Sequence, residues 1–120
     1  MDVKNGRISV EDRGFQFADS IYEVISVYHG VPFLLERHME RLFKSASLID
    51  LKIPYSPQQL VRTGREVVRK SSRVNSAIIY YQITRGYAPR NHIFPAAAVP
   101  TVVIYFRAHE FYKKSEWEKL

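Results

Sequence analysis

Apolar positions along the chain gather in short runs rich in β-branched and aromatic residues. Between those runs, two segments carry apolar residues at helical spacing. "IYEVISVY", Ile21 to Tyr28, predicts a strand. His29-Gly30 makes a tight connection, and "VPFLL", Val31 to Leu35, predicts a second strand that closes a hairpin. In the segment that follows, Leu35, Met39, Leu42, Phe43, Ala46 and Ile49 form one stripe, with Arg37, Glu40, Lys44 and Ser47 mainly off it. That spacing predicts an amphipathic helix from about Glu36 to Ile49. Ser56 is placed as an N-cap, Pro57 suits the first turn, and Gln59 completes a capping box. The second helix should bury Leu60, Val61, Gly64, Val67 and Val68, turn Arg62, Arg65, Arg69 and Lys70 outward, and end near Ser72. Strands are predicted again over Ala77 to Thr84 and Thr101 to Arg107.

Upstream, Asp12-Arg13-Gly14 reads as a turn. Downstream, "HEFYKKSEWEKL" is polar and reads as a linker rather than the end of a core. The order strand, strand, helix, helix, strand, strand implies an α+β fold: a two-layer sandwich, with an antiparallel sheet carrying two helices on one face. Residues 1–108 form the expected domain and 109–120 the linker.

Composition narrows the function classes. A chain of 120 residues holds one ordinary domain, and 46% apolar with 25% charged residues is a globular balance. Without cysteine there is neither a disulfide framework nor a thiolate metal site, which fits a reducing cytoplasm. No apolar run is long enough to span a bilayer, and no signal-peptide pattern opens the chain. The formal charge of +6 admits a nucleic-acid partner, but charge alone is a weak footprint, and a solvated helix face plus a basic tail is the favoured account. His29, His38, His92 and His109 are scattered, so no metal site is expected. There is no nucleophile triad and no Gly-rich phosphate loop.

Three features carry candidate chemistry. Tyr22 opens a strand just after Ala18-Asp19-Ser20. Arg41 lies within the first helix between apolar Met39 and Leu42, where a cation needs an anionic partner or a route to solvent. Arg90 and His92 stand two apart in the cationic loop "TRGYAPRNHIFP". On extended backbone their side chains share a side and together suit a carboxylate, although an ordinary solvated loop is also consistent.

Longer stretches tie these features together. "EDRGFQFADSIYEV", "HMERLFKSA" with "IPYS", and "YYQITRGYAPRNHIFP" resemble, in order, the N-terminal domain of fold-type IV pyridoxal-phosphate enzymes. The likeness runs from about Ile8 to Arg107 and is greatest to D-amino-acid aminotransferases. It implies a two-layer domain followed by a larger α/β domain, with pyridoxal 5'-phosphate in the cleft between them. By the same resemblance, Arg41 binds the cofactor phosphate and Tyr22 lies beside the cofactor, facing the substrate carboxylate. Arg90 and His92 would grip the substrate α-carboxylate, reaching across from the partner subunit of a homodimer. The implied reaction moves an amino group from a D-amino acid, D-alanine in type, to a 2-oxo acid.

The family's Schiff-base lysine is expected beyond residue 120, so no catalytic lysine is assigned here and the isolated chain is expected to be inactive. "MDVKNG" stands where the family's leading strands would be. Ala18 and Ser20 replace glycines common in the family, and Ser26 stands where some D-amino-acid enzymes carry lysine. Two other readings remain: a branched-chain aminotransferase or aminodeoxychorismate lyase of the same fold, and a basic RNA-binding module stacking bases on Tyr80, Tyr81 and Tyr105.

Overall fold

The computed structural model describes residues 1–119; Leu120, the last residue of the expected linker, lies outside them. A four-stranded antiparallel sheet, in the order β2-β1-β3-β4, is formed by β1 (Ser20–Tyr28), β2 (Val31–Pro32), β3 (Ser76–Thr84) and β4 (Thr101–Ala108). Three helices accompany it: α1 (Arg13–Phe17), α2 (Leu35–Leu48) and α3 (Pro57–Lys70). The two long helices cover one face, so the expected α+β sandwich is the observed one.

Register explains the core. Ile25 pairs with Ile79, which pairs in turn with Phe106, and residues so paired share a face. The helix-facing set therefore includes Ile21, Ile25 and Val27 from β1, and Ala77, Ile79, Tyr81 and Ile83 from β3. Against it α2 packs Leu35, Met39, Leu42 and Ala46, and α3 packs Leu60. The capping box of α3 forms as its sequence demands: Ser56 accepts from the Gln59 amide, and the Gln59 side chain accepts from the Ser56 amide. At Gly64 the helix lies so close to the sheet that a Cβ would run into the Tyr81 hydroxyl.

Several elements depart from expectation. The second strand stops at Pro32, because Leu34 turns to φ 53° and Leu35 already begins α2 as a core residue. The apolar run "VPFLL" therefore serves the helix more than the sheet. The Asp12 to Gly14 turn is the start of α1, where Asp12 Oδ1 accepts from the Gly14 amide at 2.8 Å. On α3 only Leu60 and Gly64 are fully buried. Val61, Val67 and Val68 are half-buried, because the helix packs mainly on α2, with lesser contacts to the edge strands β2 and β4. Beyond β4, Phe111 rests on the Tyr28 ring at 5.1 Å, and Lys114–Lys119 form a 3-10 turn. No helix among the described residues is long and apolar enough to cross a membrane.

Candidate functional site

Adjacent residues on a strand face opposite ways, and β1 uses this at Tyr22 and Glu23. Tyr22 is exposed on the helix-free face of the sheet. There its ring stacks on Tyr80 at 5.8 Å, and Tyr80 stacks on Tyr105 at 5.0 Å. The Tyr80 hydroxyl donates to Gln82 Oε1 at 3.0 Å, and Gln82 Nε2 donates to Ser20 Oγ at 3.1 Å.

Glu23 points the other way and is only 4% exposed, in phase with Ile21 and Ile25. A buried carboxylate requires compensation. Arg41 supplies it from α2: Nε donates to Glu23 Oε1 at 2.6 Å and Nη2 to Oε2 at 2.7 Å, while His38 Nδ1 reaches Oε2 at 2.7 Å. Burial opposes ionisation of Glu23, but hydrogen bonds from Arg41 and then His38 outweigh it, and the carboxyl lies below its ordinary value. The Arg41 side chain is 66% exposed, and Glu23 takes only its inner edge. Its Nη1 has no hydrogen-bond partner among the described residues. That donor set suits a phosphate: a guanidinium braced behind by a carboxylate, with in-plane N–H groups turned outward.

The loop from Thr84 to Pro95 is built on a second buried charge cluster. Asp19 Oδ2 accepts from Arg13 Nε and from Arg85 Nε, both at 2.8 Å. Burial again opposes the charge, and the arginine hydrogen bonds override it, so the Asp19 pKa falls. Arg85 also donates to the Ile49 and Asp50 carbonyls at 2.7 and 3.1 Å, satisfying the C-terminal end of α2. Gly86 sits at φ +98° against the Val99 carbonyl, a position only glycine fits. The loop then bends, rather than extending as a strand, through Arg90 and His92, yet the two side chains do meet. Both approach the Phe17 ring of α1: the Arg90 guanidinium carbon at 5.0 Å and the His92 ring at 5.4 Å.

Of the four residues singled out by sequence, Arg90 and His92 thus converge. Arg41 joins Glu23 and His38, and Tyr22 joins the tyrosine stack. No hydrogen bond or ring contact among the described residues links these groups to one another. The residues that sequence reading missed are Glu23, His38, Phe17, Arg13, Asp19 and Arg85. Only Glu23 had a local signal, a charge in the buried phase of a strand. No group of three metal-binding side chains occurs among the described residues.

The stacking platform of the RNA-binding reading fails at Tyr81. That ring is fully buried, its hydroxyl donates to the Leu60 carbonyl at 2.9 Å, and burial pushes its pKa up to about 12. Tyr80, with rings packed on it from both neighbouring strands, has little face left for a base.

Comparison with known proteins adds the family context. A family model described as amino-transferase class IV matches residues 20–119. A D-alanine aminotransferase of Staphylococcus haemolyticus is 42% identical over 106 residues, which is 88% of this chain and 37% of that protein. Among solved structures, a branched-chain amino acid aminotransferase of Escherichia coli aligns with a TM-score of 0.85 at 25% identity, covering 97% of this chain and 39% of that one. A 4-amino-4-deoxychorismate lyase from Pseudomonas aeruginosa aligns with a TM-score of 0.77 at 26% identity, covering 95% and 40%. The chain spans about 37% of the length of the curated relatives it matches.

Proposed function

The chain belongs to the class IV aminotransferases, and from that premise we propose that it supplies the anion-binding half of a D-amino-acid transaminase. The carrying observation is the Glu23–Arg41 fork, a cation held rigidly from behind with free donors in front. Arg41 takes the phosphate of pyridoxal 5'-phosphate. Glu23 and His38 fix the guanidinium plane, so little side-chain freedom is lost on binding. Arg90 and His92 take the substrate α-carboxylate, with Tyr22 beside the cofactor on the open face. When bound, the cofactor supplies the electron sink for moving the amino group. The likeness to D-alanine aminotransferases supports D-alanine as donor and a 2-oxo acid as acceptor.

Residues 1–108 act as the domain and the segment from His109 as its linker. Every lysine, from Lys4 to Lys119, is exposed, so none has the desolvated setting that activates an amine. The 120-residue chain alone is therefore expected to give no turnover.

We place the Arg90–His92 loop in trans, at the Arg41 site of a second copy in a homodimer. The test mixes Arg41→Ala and Arg90→Ala subunits of the competent enzyme with D-alanine as donor. In trans, each mixed dimer has one intact site, and random mixing restores about a quarter of the sites. No recovery, despite proven subunit exchange, would sink the arrangement in trans. Preference for L-leucine over D-alanine would redirect the reading to a branched-chain aminotransferase, and pyruvate release from aminodeoxychorismate to a lyase.

A further inference from the structure

Three consecutive residues of the cationic loop are each held by α1. The Arg90 guanidinium lies 5.0 Å from the centre of the Phe17 ring, and the His92 ring lies 5.4 Å from it at an inclination of 59°. Between them, the Asn91 carbonyl accepts from Arg13 Nη1 at 2.6 Å. Arg13 is 2% exposed and tied through Nε to Asp19, and its own guanidinium lies 4.7 Å from the same ring. A five-residue helix thus seats both side chains and pins the backbone between them.

An exposed arginine and histidine on a bent loop would otherwise sample many rotamers, and ordering them would oppose ligand binding. A guanidinium resting over an aromatic face is attracted by the ring without giving up a hydrogen-bond partner to it. No hydrogen bond among the described residues engages the Arg90 or His92 side chain, so their donors stay available.

We propose that Phe17 is the positioning residue for the carboxylate grip, holding Arg90 and His92 side by side before any anion arrives. The inference rests on the reading of that pair as a carboxylate receptor. It assigns Phe17 no contact with the substrate and makes the π face, rather than bulk, the property that matters.

The test uses the competent homodimer, isotope-labelled, and NMR, with pyruvate as probe. In wild type, the His92 ring and Arg90 side-chain protons should carry ring-current shifts from Phe17. Phe17→Leu and Phe17→Met should abolish those shifts and weaken pyruvate binding about three- to tenfold, while Phe17→Tyr stays within about twofold of wild type. Two non-aromatic variants guard against one that fails to fold, with far-UV circular dichroism as the check. Unchanged His92 and Arg90 shifts in folded Phe17→Leu or Phe17→Met, or unchanged affinity, would overturn the positioning role. If instead wild type binds no pyruvate, or Arg90→Ala binds as wild type does, the carboxylate reading falls and the inference falls with it.

Discussion

Replacing Asp19 by asparagine should be among the most damaging single-atom changes in this chain. Asp19 Oδ2 is shared by two guanidinium groups, each at 2.8 Å, and the side chains of Arg13, Asp19 and Arg85 are 3%, 7% and 11% exposed. The substitution keeps the shape but removes the only carboxylate paired with these two enclosed cations among the described residues. Breaking a buried pair by removing one partner costs about 3–5 kcal/mol. The amide oxygen still accepts one bond, and Arg85 keeps its bonds to the Ile49 and Asp50 carbonyls, which places the loss near the lower end. With a urea m-value of about 2 kcal/mol/M, a loss of about 3 kcal/mol lowers the unfolding midpoint by about 1.5 M. Far-UV circular dichroism is the suitable probe, since Trp117 is 61% exposed on the tail and reports poorly on the core. Glu36→Gln is the control: its pair with Arg65 is about 60% exposed on both sides and should contribute less than about 1 kcal/mol. An Asp19→Asn midpoint within about 0.3 M of wild type, at unchanged m, would refute the view that this cluster holds the loop base to α2.

Two further outcomes are expected. Asp19 and Glu23 both have lowered folded-state values, so their contribution is present above the ordinary carboxylate range of about 4 and lost as pH falls through those lowered values. Tyr81 runs the opposite way on the alkaline side, with stability falling as pH rises above about 10 toward its folded value. Urea midpoints across pH should show both limbs, the acid one flattened in Glu23→Gln and the alkaline one in Tyr81→Phe; unchanged limbs would contradict the pairing and the burial respectively. Gly64→Ala should destabilise by about 1–3 kcal/mol through overpacking against Tyr81, despite alanine's better helix propensity, and a stabilised variant in thermal unfolding would contradict the close approach.

Much of the scaffold was legible because its signals are local. The stripe from Leu35 to Ala46 specifies α2, and the Ser56–Gln59 box starts α3 at the residue it should. The alternation through Ile79, Tyr81 and Ile83 already placed Tyr81 inward, which a reading based on tyrosine content overlooked. The failures have physical causes. Five residues are too few to display a 3.6-residue period, so α1 read as a turn. The run "VPFLL" has the composition of a strand, and only the tertiary fold assigns Leu35 to the helix. Candidate site residues emerged from resemblance and from isolated cations, but their partners lie far away in sequence. Asp19 meets Arg85 across 66 positions and Arg13 meets Asn91 across 78, and no window along the chain contains both ends of either contact.

The shortness of β2 has a consequence for colloidal behaviour. It covers β1 only at Val27 and Tyr28, with one further bond from Phe33 to the Ser26 carbonyl. From Ser20 to Ile25 the outer rim of β1 has no strand beside it among the described residues, and such rims recruit strands from other molecules. Glu23 lies in the middle of this rim with its charge turned inward, and Pro32 ends the neighbouring strand without an amide to offer. With the Glu23 charge already taken up by Arg41 and His38 on the helix side, the free amides and carbonyls of this rim are open to edge-to-edge pairing.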